Sequence, residues 1–140
     1  MIKNVLLDLD DTLFDFHRAE AEAIRYTLSE IGIDPTDDTV ALYSRINRSC
    51  WAKLETGEYT RDEVLHKRFD MLFAALSVTG DAHETQKIYE YRLSLGAYYL
   101  EGAEEMLEHL FGKYRLYLAT NGIVNVQARR IESTGIDKYF

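Results

Sequence analysis

Two aspartates, Asp8 and Asp10, follow the apolar run Val5-Leu6-Leu7 and are separated by a single residue. On an extended segment, residues at i and i+2 project to the same side, so the two carboxylates share one surface. Held close they repel, and either one keeps its proton or a cation sits between them. Hard oxygen donors of this kind suit Mg²⁺, which retains several waters and binds through one or two carboxylates plus substrate phosphate. A positioned aspartate can attack phosphorus to give an aspartyl-phosphate, while a second acid protonates the leaving oxygen and then activates water. A second constellation, Thr120-Asn121-Gly122, follows another apolar run and precedes a helix-forming stretch. A hydroxyl beside the first N–H groups of a helix can hold a phosphate. Plainer readings exist for both groups: acids that cap a turn or face solvent, and an ordinary helix N-cap. For Asp8 the plainer reading is weakened by the cost of desolvating a carboxylate that ends a buried run without a partner.

The elements that must position these residues can be read from the apolar pattern. Val5-Leu6-Leu7 lacks alternation, which suits a strand buried on both faces in a parallel sheet flanked by helices. Ligands of open α/β sheets bind outside the carboxyl ends of strands, where Asp8 and Asp10 fall. Four amphipathic helices are expected next: Arg18 to Ile31, Asp38 to Thr56, one opened by the capping box Thr60 to Glu63 and ended by Gly80, and one opened by Asp81 and ended near Gly96. The second carries Val40, Tyr43, Ile46, Cys50 and Leu54 on one face, and the fourth Ile88, Tyr91, Arg92 and Leu95. Short turns between them predict a small antiparallel bundle. A helix over Ala103 to Phe111, a strand over Arg115 to Ala119 and a helix over Val124 to Thr134 return to the first pattern. The fold class is therefore α/β, with a partial parallel-sheet core at 1–15 and 97–140 and a four-helix insertion at 16–96. Two strands make a marginal sheet, and the sequence stops at Tyr139-Phe140 where another strand is due. The expected reading is an incomplete core whose exposed sheet edge would allow exchange of elements or a homo-oligomer.

Composition narrows the function classes. The 140 residues carry 16 basic and 24 acidic side chains, a net charge of −8, with 46% hydrophobic residues. That is globular composition, and the acidic balance argues against a nucleic-acid polymer as partner, since phosphate backbones are bound by excess Lys and Arg. No apolar stretch reaches membrane-spanning length, no signal peptide is visible, and the single Cys50 cannot form an internal disulfide. A cytoplasmic protein with no membrane contact is expected. His17, His66, His83 and His109 lack metal-ligand spacing and are read as structural or surface residues.

Asp8-Leu9-Asp10-Asp11-Thr12, set after an apolar strand, resembles the first motif of the haloacid dehalogenase (HAD) superfamily, and Leu116-Tyr117-Leu118-Ala119-Thr120 resembles its second. The resemblance covers the whole chain, and the helical insertion lies where members with an all-helical cap carry theirs. Asp10-Asp11-Thr12-Leu13-Phe14-Asp15 and the segment from Trp51 to Phe69 look closest to the cytosolic pyrimidine 5'-nucleotidase-like members. The resemblance implies a Rossmann-like core and a Mg²⁺-dependent phosphomonoesterase acting on a small phosphorylated metabolite, a nucleoside monophosphate being the favoured case. It implies Asp8 as nucleophile and metal ligand, and Asp10 as general acid and base that gives its backbone carbonyl to the metal. Thr120 and the Asn121 backbone N–H would hold the phosphoryl group. The family's lysine and its further acidic metal ligand would lie beyond Phe140, so this chain alone is expected to be weak or inactive.

Specificity in helically capped members comes from cap loops, and the turn from Glu55 to Arg61 fits that role. Tyr59, Arg61 and Arg68 are the candidate substrate residues there, whereas Trp51 is read as bundle core. A phospho-acceptor signalling domain is a competing class, but it would place the acceptor aspartate on a later strand, and here Thr120 ends the second strand. A non-catalytic binding protein that keeps the fold without the chemistry is the remaining alternative.

Overall fold

Two short strands, β1 (Asn4–Asp8) and β2 (Arg115–Ala119), pair in parallel in the computed structural model, which describes Met1–Phe140. Val5 stands opposite Leu116, Leu7 opposite Leu118, and Asp8 opposite Ala119. Parallel pairing requires a long crossover, supplied here by α1 (Phe16–Glu30), α2 (Asp37–Glu55), α3 (Arg61–Leu76), α4 (Ala82–Leu93) and α5 (Ala103–Leu110). After β2 come α6 (Val124–Thr134) and a 3-10 turn at Ile136–Tyr139. The chain forms two units, one made of Met1–Glu20 with Leu93–Phe140 and the other of Ala21–Arg92. No helix is long and apolar enough to cross a membrane.

The first unit holds the mixed α/β part. Its core gathers Leu9, Leu13, Phe14, Ala103, Leu107, Leu116, Ile136 and Tyr139, with Val5, Leu7 and Leu118 packed against them. The expectation that β1 is buried on both faces holds for one face only. Leu6 and Tyr117, a register pair, are 70% and 49% exposed. The apolar cluster lies on the Val5 and Leu7 side, and no segment of this chain covers the alternate residues.

In the second unit the helices close on a core of Ile24, Leu28, Tyr43, Cys50, Val64, Phe69, Leu72 and Tyr89. Tyr43 stacks on Phe69 at 5.5 Å between ring centroids, and Tyr89 meets Phe69 edge-on at 5.7 Å. Helix α3 starts with the expected capping box: Glu63 N–H donates to Thr60 Oγ1 at 3.2 Å, and Thr60 N–H to Glu63 Oε2 at 2.8 Å. That backbone donor, with the Lys67 ammonium, holds the Glu63 carboxyl below its ordinary pKa. Cys50 is buried and its burial pushes the thiol pKa up, so it behaves as a small core residue.

Two sequence expectations shift here. Helix α4 buries Ala82, Thr85, Gln86, Tyr89 and Leu93, while Tyr91 and Leu95 are exposed. Polar residues occupy its inner face because Gln86 is needed as a hydrogen-bond acceptor within the bundle. Helix α3 ends at Leu76, capped by Ser77 in the left-handed region, short of Gly80. Gly80 matters for space instead: a Cβ there would stand 2.6 Å from the Phe73 ring, which is itself buried. Gly80→Ala should force that ring out of place and cost about 1–3 kcal/mol, readable as a lower midpoint in urea with an unchanged slope.

Candidate active site

The chain leaves β1 through a loop that is fastened from both ends. Leu13 and Phe14 N–H both donate to Leu9 O at 2.9 Å, and Asp11 N–H donates to Phe14 O at 2.8 Å. Leu9, Leu13 and Phe14 are fully buried, so the loop is anchored by its apolar residues. Asp11 takes φ 59°, a region that Asp tolerates better than most residues. Its carboxylate accepts from Phe16 N–H at 3.2 Å at the start of α1. Asp11 therefore serves the loop. Asp8 is exposed at the end of β1, and its Oδ1 accepts from Leu9 N–H at 2.9 Å.

Asp10 is held very differently. Its Oδ1 accepts from Arg130 Nη1 at 2.7 Å, and its Oδ2 from Gln127 Nε2 at 2.9 Å. Both partners sit one turn apart on α6, on its buried face. The Arg130 side chain is only 1% exposed, against 25% for Asp10. Arg130 Nε also donates to Gly96 O at 2.6 Å, and its Nη1 to Gln127 Oε1 at 2.8 Å. Its guanidinium lies 5.4 Å from the centre of the Phe14 ring. Arg130 has no acceptor to offer, so the oxygen of the Gln127 amide must face it, which fixes the amide nitrogen toward Asp10.

The same nitrogen donates to Thr120 Oγ1 at 2.8 Å, and Gly122 N–H donates to that oxygen at 3.2 Å. A hydroxyl oxygen has two acceptor positions, and both are filled by donors. The Thr120 O–H proton is thereby left to point at an outside acceptor. Neither Thr120 nor Asn121 caps α6; Ile123 is the N-cap and makes no side-chain cap bond. The first N–H groups of α6 therefore have no side-chain acceptor, and Asn121 is exposed just before them. One donor hydroxyl and a helix start next to it make a surface suited to an anion.

The structure thus brings Asp10 and Thr120 to a common partner, with Asp8 one register step away beside Ala119. Tyr59, Arg61 and Arg68 belong to the other unit. Tyr59 is half-buried, with the Lys53 and Lys67 ammoniums 4.8 and 4.3 Å from its ring centre. Arg61 is exposed in the first turn of α3. Arg68 is buried in the bundle, where its Nη1 donates to Asn47 Oδ1 at 3.0 Å and its Nη2 to Gln86 Oε1 at 2.6 Å. Its guanidinium ties α2, α3 and α4 together. Gln127 and Arg130 were not singled out by sequence; the signal was two long polar side chains placed where an amphipathic helix calls for apolar ones.

No group of three or more His, Cys, Asp or Glu side chains converges as a metal site. What the loop offers a cation is smaller: the exposed Asp8 carboxylate and the Asp10 backbone carbonyl, since both Asp10 carboxylate oxygens already accept from α6. A few hard oxygens completed by water and phosphate form a set that Mg²⁺ accepts.

The family model for haloacid dehalogenase-like hydrolases matches residues 2–140. The HAD-hydrolase YfnB of Bacillus subtilis is 33% identical over 138 residues, covering 99% of this chain and 59% of the relative. Pyrimidine 5'-nucleotidase PynA of Streptococcus pneumoniae is likewise 33% identical, over 139 residues, with 99% and 59% covered. The chain therefore spans about three fifths of the curated relatives it matches. A crystal structure of the B. subtilis YfnB protein bound to magnesium superposes with a TM-score of 0.95, covering 99% of this chain and 62% of that one. L-2-haloacid dehalogenase from Xanthobacter autotrophicus, at 16% identity and a TM-score of 0.72, covers all of this chain and 55% of that one and shares the fold.

Proposed function

The chain belongs to the haloacid dehalogenase-like hydrolases, and from that premise we propose that it carries the nucleophile, the acid and base, and part of the phosphate site of a phosphomonoesterase. The observation that carries this reading is the Thr120 hydroxyl, which two donors leave free only to donate, set beside the carboxylate pair. An Asp8 oxygen attacks phosphorus and the bond from phosphorus to the leaving oxygen breaks. Asp10, ion-paired with Arg130 at rest, first takes up a proton from solvent or from the phosphate monoester and gives it to that oxygen. Water then attacks the phosphorus, Asp10 takes the proton, and the bond to Asp8 breaks to release inorganic phosphate. Thr120 and the α6 N–H groups hold the non-bridging oxygens throughout.

Asp8 and the Asp10 carbonyl would hold Mg²⁺, which when bound neutralises the nucleophile and the phosphate oxygens. Magnesium in the related YfnB structure supports this assignment. We further propose that the substrate is a small phosphorylated metabolite, with a nucleoside monophosphate favoured because a relative 33% identical is a pyrimidine 5'-nucleotidase. Tyr59 and Arg61 are the residues proposed to meet its non-phosphate part. Arg68 is a weaker candidate, because its guanidinium is already used inside the bundle.

Phosphate release from a panel of nucleotides and sugar phosphates, with and without Mg²⁺, tests the reading on this chain and on the intact protein containing it. Turnover by the intact protein that disappears with chelator and returns with Mg²⁺ is expected. A folded protein silent across the panel would favour the binding-protein alternative.

A further inference from the structure

We infer that Gln127 and Arg130 are positioning residues that aim the Asp10 carboxyl at the leaving oxygen; the inference rests on the function proposed above. Asp10 sits on a loop, and its side chain has two rotatable bonds that the loop does not fix. Fixing them falls to α6. Each carboxylate oxygen receives one donor, at 2.7 and 2.9 Å, from residues spaced i and i+3 on the helix. Two donors on two oxygens set the plane of the carboxyl as well as its position. The Gln127 amide is in turn held by Arg130 and Thr120, so the acid and the phosphate-holding hydroxyl are spaced by one rigid group. Arg130 is anchored through Nε to Gly96 O and is fully buried, so it has no freedom to follow a wandering carboxylate. The result is a fixed distance between where phosphate is held and where the proton is delivered.

Gly122 belongs to the same device. A Cβ at this position would stand 2.6 Å from Gln127 Cδ and 2.8 Å from its Cγ. The bare backbone at Gly122 is what lets the Gln127 side chain lie across the gap from Thr120 to Asp10. Gly122→Ala should therefore push the amide off Asp10 without removing any hydrogen-bonding group.

The test exploits leaving-group chemistry in the intact protein. An alkyl phosphate needs its leaving oxygen protonated, whereas p-nitrophenyl phosphate departs as a stable phenolate and needs the acid little. In Gln127→Leu and Gly122→Ala, loss of the amide's bond to Thr120 weakens turnover of both esters alike. The acid is therefore read from the difference: kcat/KM for a nucleoside monophosphate should fall about ten-fold or more beyond the fall for p-nitrophenyl phosphate. Equal losses on the two esters, or no loss on either, would overturn the inference, because a merely structural role does not distinguish leaving groups. A second readout requires no turnover. The side-chain amide resonances of Gln127 should shift on Asp10→Ala and stay in place on Asp8→Asn. If the wild-type protein hydrolyses neither ester, the proposed function falls and the positioning role with it, and the amide resonances then report only the hydrogen bond from Gln127 to Asp10. An amide signal indifferent to Asp10→Ala ends it.

Discussion

Asp8→Asn is expected to lower phosphate release by the intact protein on the order of 10⁴-fold or more, the scale of removing a covalent nucleophile, while leaving its thermal midpoint in place. The amide oxygen of asparagine can still accept from Leu9 N–H, the contact that Asp8 Oδ1 makes at 2.9 Å. The side chain is exposed, so the substitution disturbs no packing. Surface changes of this kind stay within about 0.5 kcal/mol. Steady-state release of phosphate together with a thermal melt separates the two effects. Retained turnover with Asp8→Asn would remove the aspartyl-phosphate from the mechanism, and loss of the fold would contradict the exposure of this side chain.

At Asp10 the expected result is a double loss. Asp10→Ala removes the acid and base, worth about 10²–10⁴-fold, and strands the positive charge of Arg130. That guanidinium is 1% exposed, and its Nη2 has no partner even in the intact site. Breaking a buried pair from one side costs about 3–5 kcal/mol, and the low end applies because a quarter of the Asp10 side chain reaches solvent. Asp10→Ala should therefore melt well below wild type, whereas Asp10→Asn, which keeps an acceptor for one donor, should lose activity with a smaller drop. Adding Arg130→Met to Asp10→Ala removes the stranded charge. The double variant should regain most of the stability and none of the activity. Denaturant unfolding of wild type, Asp10→Ala, Arg130→Met and the double variant forms a double-mutant cycle. A coupling near zero would mean that the ion pair at 2.7 Å contributes nothing to the fold.

The two results follow from a contrast between neighbouring acids that sequence did not disclose. The placement of Asp8, Asp10 and Thr120 at or just beyond the strand ends was legible because strands and the spacing of two acids follow from local apolar pattern. Strand β2 and helix α6 have the bounds expected from sequence. The partners of Asp10 were not legible, since Gln127 and Arg130 lie 117 and 120 residues away in sequence and meet it only through the parallel register. The inner face of α4 was misread for a related reason. Gln86 is buried to accept from Arg68, so apolar periodicity pointed to Tyr91 and Leu95, which are exposed. Arg68 stood as a candidate substrate residue because a guanidinium can pair with phosphate or stack on a base, which presumes an exposed head group. Here hydrogen bonds to Asn47 and Gln86 give its buried head group a place. In both units the long polar side chains turned inward are the features that periodicity passes over.

The parallel register between β1 and β2 also dictates an order of events in time. Bringing Asp8 beside Ala119 closes a loop of roughly 110 residues, an entropic cost of about 4 kcal/mol. The segment Ala21–Arg92 lies inside that loop and has a core of its own, built from helices that follow one another directly. Contacts so close in sequence form early. Once they have formed, only about 40 flexible residues remain to be closed, and the cost falls by about 1 kcal/mol. On a ribosome the carboxylates of β1 emerge first and wait, unpaired, until β2 and α6 have been made. Within residues 1–140, the contacts from Asp10 to Gln127 and Arg130 thus assemble after the helical insert has folded.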